Sequence, residues 1–156
     1  MKTNFTHNDT NTSYVSLHDC FATHIDTTNT TLTFTFDNGF WVTPEHDANT
    51  SNDISRTNLA KVDFIINEDE ITIYTFKKNF FRRTERIELS LNELINLINN
   101  EKYRLEFLYE YKGFNATIFD CWLHFDKKPY HYECELRIPV NKTIYRWNSL
   151  NENAIW

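Results

Sequence analysis

The chain has 156 residues, with 16 Lys and Arg against 22 Asp and Glu and a formal net charge of -6. That balance lacks the basic excess that general nucleic-acid binding requires, so no nucleic-acid partner is expected. With 2 Gly, 3 Pro and 16% aromatic residues the chain is no low-complexity polymer, and one core-forming domain over 14–156 is expected.

Residues 1–13, M-K-T-N-F-T-H-N-D-T-N-T-S, are polar throughout. They lack the apolar stretch of a secretory leader and read as a disordered tail. No apolar run of about 18 residues occurs anywhere, so neither a membrane span nor a membrane partner is expected, and a cytoplasmic location is the default. A first strand is predicted over 14–25, with Leu17, Phe21 and Ile25 facing one way and His18, Cys20, Ala22 and His24 the other. Over 31–42 the chain reads T-L-T-F-T-F-D-N-G-F-W-V. Alternation running into Asn38-Gly39 predicts a β-hairpin, because both turn residues readily take positive φ. The stretch 43–58 is polar and long for a connection, which marks it as functional or disordered.

Strands are predicted over 59–66 and 71–76, joined by a hairpin turn at 67–70, and again over 80–89. Residues 90–100 carry the helix signal. Ser90 and Glu93 form a capping box, Leu89 and Leu94 a staple, and Leu91, Leu94, Ile95 and Ile98 a single stripe. Such a helix is long enough to cover one end or edge of a sheet. Strands follow over 103–112, 114–125 and 130–140, with turns at Gly113 and at 126–129. The stretch 114–125 is apolar on both faces and so central in its sheet. The C-terminal residues are apolar enough to dock, without an assignable element. Many short strands with one helix predict a mainly β, α+β chain: an antiparallel β-sandwich or partly open barrel with a helix near 90–100.

Four groups of residues could carry chemistry. His18-Asp19-Cys20 with His24 offers metal-ligand types, yet His18 and His24 lie roughly 20 Å apart on a regular strand at about 3.3 Å per residue. The alternative is a structural strand end with Cys20 packed. If 126–129 is a four-residue loop, Phe125 opposes Tyr130, His124 opposes His131, Trp122 opposes Glu133, Cys121 opposes Cys134 and Asp120 opposes Glu135. One face then presents Asp120, His124, His131, Glu133 and Glu135, a set able to bind a divalent metal or do acid/base work, or simply to form a solvated, charge-balanced surface. Glu45, His46 and Asp47, with Asp53, could serve as a lid or partner contact on the long loop. Lys77, Lys78, Arg82 and Arg83 interleave with Asn79, Phe80 and Phe81. They read as a phosphate-binding strip, a contact for an acidic protein, or a hairpin tip balancing Glu85 and Glu88.

Cys20, Cys121 and Cys134 are odd in number and lack C-x-x-C spacing, which points to packed thiols rather than a disulfide framework or zinc ribbon. Gly39 and Gly113 stand alone, so no Gly-rich phosphate loop is present, and neither H-E-x-x-H nor G-x-S-x-G occurs. No cofactor is expected.

Leu17-His18-Asp19-Cys20 followed by Asp37-Asn38-Gly39-Phe40 resembles the opening of a group of small bacterial β-rich proteins, in which an L-H-D-C segment precedes a D-G-F hairpin. More loosely, the chain is similar to small β-rich immunity proteins of bacterial toxin systems, which also carry an early L-H-D segment. That likeness implies binding rather than catalysis. The resulting expectation is an immunity-like protein with a protein partner, favoured to be basic. The alternatives are a metal-dependent or acid/base enzyme using the His/Glu patch on the 114–140 hairpin, and a small-ligand carrier with aromatics lining a barrel mouth.

Overall fold

Apolar residues recurring every second position form strands along most of the chain, and one 3.6-residue stripe forms the single helix among the described residues. The computed structural model describes residues 4–66 and 70–154. In chain order the elements begin with β1 (His7–Asp9), a 3-10 turn (Thr12–Tyr14), β2 (Val15–Ser16), β3 (Cys20–Ala22) and β4 (His24–Thr27). β5 (Thr31–Phe36), β6 (Trp41–Val42), β7 (Ser55–Thr57), β8 (Ala60–Ile66), β9 (Thr72–Lys78) and β10 (Thr84–Leu89) lead to α1 (Leu91–Asn99). β11 (Arg104–Lys112), β12 (Thr117–His124), β13 (His131–Ile138), β14 (Val140–Trp147) and β15 (Leu150–Asn151) complete the fold.

Three antiparallel sheets result, in the orders β1-β14-β8-β5-β4, β10-β9-β13-β12-β11-β3 and β15-β7-β6-β2. None closes on itself, so the arrangement is that of a sandwich rather than a barrel. The two larger sheets meet through phenyl rings. Phe34 and Phe36 of β5 reach Phe107 of β11 at 5.4 and 5.6 Å, and Phe64 of β8 reaches Phe119 of β12 at 5.3 Å. Such pairs contribute roughly 0.5–1.5 kcal/mol each beyond the area they bury. The small sheet joins this core through Phe40, whose ring lies 5.5 Å from Tyr145 and 5.6 Å from Trp147.

The helix forms with the expected cap. Ser90 Oγ accepts from the Glu93 amide, and the Glu93 carboxylate accepts from the Ser90 amide at 2.7 Å. α1 packs on β4, the edge of the five-stranded sheet. Asn99 seals that edge with its carboxamide: the Ile25 amide donates to Oδ1 at 2.9 Å and Nδ2 donates to the Ile25 carbonyl at 2.8 Å.

Several local expectations are corrected. Residues 7–14, expected within a tail and at the start of the first strand, instead hold β1, which pairs with β14, and the 3-10 turn. The pairing uses backbone and a His7–Trp147 ring stack at 5.0 Å, which a polar composition does not reveal. The single strand over 14–25 is broken at Asp19, whose φ is 55. The turn there buries Leu17, Cys20, Ala22 and Ile25 together, so the predicted division of faces fails. The Asn38-Gly39 turn forms, with the Gly39 amide on the Phe36 carbonyl at 3.0 Å and Gly39 φ at 68. It makes no hairpin, because β5 pairs with β4 and β8 while β6 pairs with β2 and β7. It hands the chain from one sheet to another. Of the turn expected at 67–70, residues 67–69 lie outside the described residues; β8 and β9 belong to different sheets and do not pair. In β11 a bulge between Phe107 and Tyr109 breaks the predicted alternation and swings Tyr109 and Tyr111 to the exposed face.

Candidate functional site

The outer face of the six-stranded sheet collects the predicted polar patch. The register counted from the 126–129 loop is the one observed: His124 opposes His131, Trp122 opposes Glu133, Cys121 opposes Cys134 and Asp120 opposes Glu135. A four-residue connection in an antiparallel pair sets that count directly. β11 adds Arg104, Glu106 and, after the bulge, Tyr109, while β3 adds Phe21 opposite Glu106.

Trp122 sits at the centre of this face and is 37% exposed. Its ring stacks on His131 at 4.5 Å and 27° and lies 6.0 Å from His124. His124 is drawn the other way, where its Nε2 lies 2.6 Å from Glu106 Oε2. Phe21 covers that pair, with its ring 5.4 Å from the His124 ring and the Arg104 guanidinium 5.3 Å above it. Glu106 is therefore buried on a nominally outer face, held by the His124 imidazole and covered by the Phe21 ring rather than by solvent. Glu133 is exposed, and Asp120 and Glu135 are half-buried beside Trp122.

The set comes together as a stripe on an open sheet and not as a concave centre. Among the described residues no three His, Cys, Asp or Glu are placed to hold a metal ion. Cys121 and Cys134 face the core, and burial pushes both thiols up, Cys134 to about 12. What the stripe can do is recognise: an exposed indole with Tyr109 and Tyr111, flanked by carboxylates. Sequence reading missed Glu106, Phe21 and the two tyrosines, because the bulge at Leu108 carries no local signal. The bulged carbonyl is taken by Nδ1 of His18, from a distant turn.

Two of the other groups make local contacts within the fold. His18, Cys20 and His24 do not converge. Cys20 is buried with its thiol pushed up to about 12, chiefly by that burial. His24 lies beside Asp26 at 3.2 Å on an exposed strand. The L-H-D-C segment makes a tight turn in which the Asp19 amide bonds the Phe107 carbonyl at 2.8 Å and the His18 carbonyl accepts the Trp41 indole N–H at 3.1 Å.

The loop over 43–54 is ordered around buried Asn49, which donates to the carbonyls of Val42 and Asp53. Of its candidates, Glu45 and Asp47 face solvent, whereas His46 turns inward. His46 Nδ1 accepts the Ala48 amide at 2.9 Å, which leaves Nε2–H to donate to Asp9 at 2.7 Å. The imidazole is a clasp for β1.

Among the described residues the surface has a cleft of about 640 Å³ between the 48–55 loop and the segment after β14, and one of about 510 Å³ between the β9–β10 and β12–β13 hairpins. No family of proteins, no characterised protein and no solved structure matches this chain.

Proposed function

We propose that the chain is a binding protein that docks a basic protein partner on the outer face of the six-stranded sheet, acting in the manner of an immunity protein. The observation that carries this reading is Trp122: a large ring left open at the middle of a sheet, braced from beneath by His131 and bordered by Glu133, Glu135 and Asp120. Exposed Trp and Tyr side chains in a preset orientation are the usual anchors of protein interfaces. A net charge of -6 speeds encounter with a cationic partner. A cytoplasmic setting goes with this reading, since Cys20, Cys121 and Cys134 are all free thiols.

The test is comparative capture from native lysate with the wild-type chain and a Trp122→Ala/Glu133→Lys variant. A basic protein held by the first and lost from the second is expected. Its own activity should be blocked by an equimolar amount of this chain. Equal retention by both, or turnover of a small substrate in the absence of any partner, rejects the reading.

A further inference from the structure

Cations gather at one end of a chain whose net charge is -6. Lys77, Lys78, Arg82 and Arg83 lie on or beside the β9–β10 tip, and Lys127 and Lys128 lie on the β12–β13 turn. Register brings the two turns to the same end, since Glu133 pairs with Phe76 and His131 with His124. The cleft of about 510 Å³ runs between their stems; its lining includes Lys77, Lys78, His131 and Tyr132 together with the carboxylate of Glu133. Lys77 Nζ lies 4.7 Å from the Tyr132 ring.

At the apex stand Phe80 and Phe81, 95% and 79% exposed, with their rings edge to face at 5.6 Å. Four amides of this tip are paired within it. The Asn79 amide bonds the Arg83 carbonyl, and the Arg82 amide bonds the Asn79 carbonyl, both at 2.9 Å. Asn79 Oδ1 accepts the amides of Phe81 and Arg83, both at 3.0 Å, while its Nδ2 donates to Glu85. Amides paired in this way can leave water without being stranded. An apolar apex with cations set behind it matches the layering of an anionic bilayer, where acyl chains lie beyond charged headgroups. A single-stranded nucleic acid fits less well. Its bases need ring faces spread along a groove, and these rings meet edge to face on a convex point.

We infer that this end of the sheet, built from Phe80, Phe81, Arg82, Arg83, Lys127 and Lys128, is a peripheral docking site for an anionic lipid surface. It needs no spanning helix; among the described residues none is long and apolar enough to cross a membrane. It uses the end of the sheet, whereas the proposed partner face is centred on Trp122, so the two stand or fall separately.

Co-sedimentation of the full chain with vesicles of phosphatidylcholine, with and without about a third phosphatidylserine, tests it. The wild-type chain should pellet with the anionic vesicles only, and less so at high salt. Phe80→Ser/Phe81→Ser and Arg82→Gln/Arg83→Gln/Lys127→Gln/Lys128→Gln should each lower partitioning at least about tenfold with unchanged unfolding midpoints, because every substituted side chain is exposed. Trp122→Ala alone, which leaves the charge of this end unchanged, should pellet like the wild type. A wild-type chain that stays in the supernatant overturns the inference whatever the variants do. Equal pelleting by the folded phenylalanine variant also overturns it, as does retention of a single-stranded oligonucleotide or an acidic protein by these residues without vesicle binding.

Discussion

Gly39 shows what a single residue decides here. Its φ of 68 costs an alanine about 1–2 kcal/mol, and a Cβ there would sit 2.2 Å from the Thr57 carbonyl oxygen and 2.4 Å from that of Asn58. Both neighbours are backbone, so neither can swing aside. Gly39→Ala should therefore lose on the order of 3–4 kcal/mol in urea unfolding, and a loss under about 1 kcal/mol would show that β7 is free to move. The Asp9–His46 clasp makes a pH prediction. Partial burial raises the Asp9 carboxyl, but the amide of Asn11 at 2.8 Å and His46 outweigh it, and the group ends below its ordinary 3.8. A folded-state value below the unfolded one means stability that is complete above 3.8 and lost as pH falls through the lower folded value. Comparing Asp9→Asn with wild type across pH should show a stability gap that is constant near neutrality and closes below that value. A gap indifferent to pH would mean that the carboxylate charge does nothing for the N-terminal strand.

At the scale of elements, what the sequence made legible was whatever its physics keeps local. The capping box of α1 needs only Ser90 and Glu93, three positions apart, and Ser90→Ala should cost about 1 kcal/mol by thermal unfolding. The β12–β13 register follows from one loop length, so the stripe from Asp120 to Glu135 was readable before any coordinates. Pairing set by distant residues was not. Asn38-Gly39 announces a turn, but nothing within that segment says that β5 and β6 enter different sheets. The bulge that exposes Tyr109 is held by His18, some ninety positions away, and no period-two pattern contains it. Asn99 is a further case: at the end of a helix it reads as a stop signal, yet its carboxamide completes the edge of β4. Asn99→Ala should strand the Ile25 amide and carbonyl and cost about 1–3 kcal/mol, with faster hydrogen exchange at Ile25. Unchanged exchange there would mean that α1 covers β4 by apolar contact alone.

For the whole molecule, the three thiols report whether the sandwich opens in parts or at once. Cys20 lies in β3 at the edge of the six-stranded sheet, and Cys121 and Cys134 lie on adjoining central strands. All three are buried, and burial raises all three thiols far above neutrality, so almost none of the reactive thiolate exists while the fold is closed. The core they share is continuous from Phe36 through Phe107 to Phe119 and Phe64, which couples both large sheets. Cys20 is bound into that core by the L-H-D-C turn, whose backbone is bonded to Phe107 on one side and to Trp41 on the other. A disulfide-exchange reagent at pH 8 should therefore label the three cysteines at a single slow rate. Gly39→Ala should accelerate that rate about tenfold for each 1.4 kcal/mol of stability it removes, because labelling then tracks the population of the open form. Faster labelling of Cys20 alone would mean that β3 detaches while β12 and β13 stay paired. The outer face at Phe21, Glu106 and His124 would then be a surface that opens without unfolding, and a partner seated on Trp122 should slow the labelling of Cys20 before that of the other two.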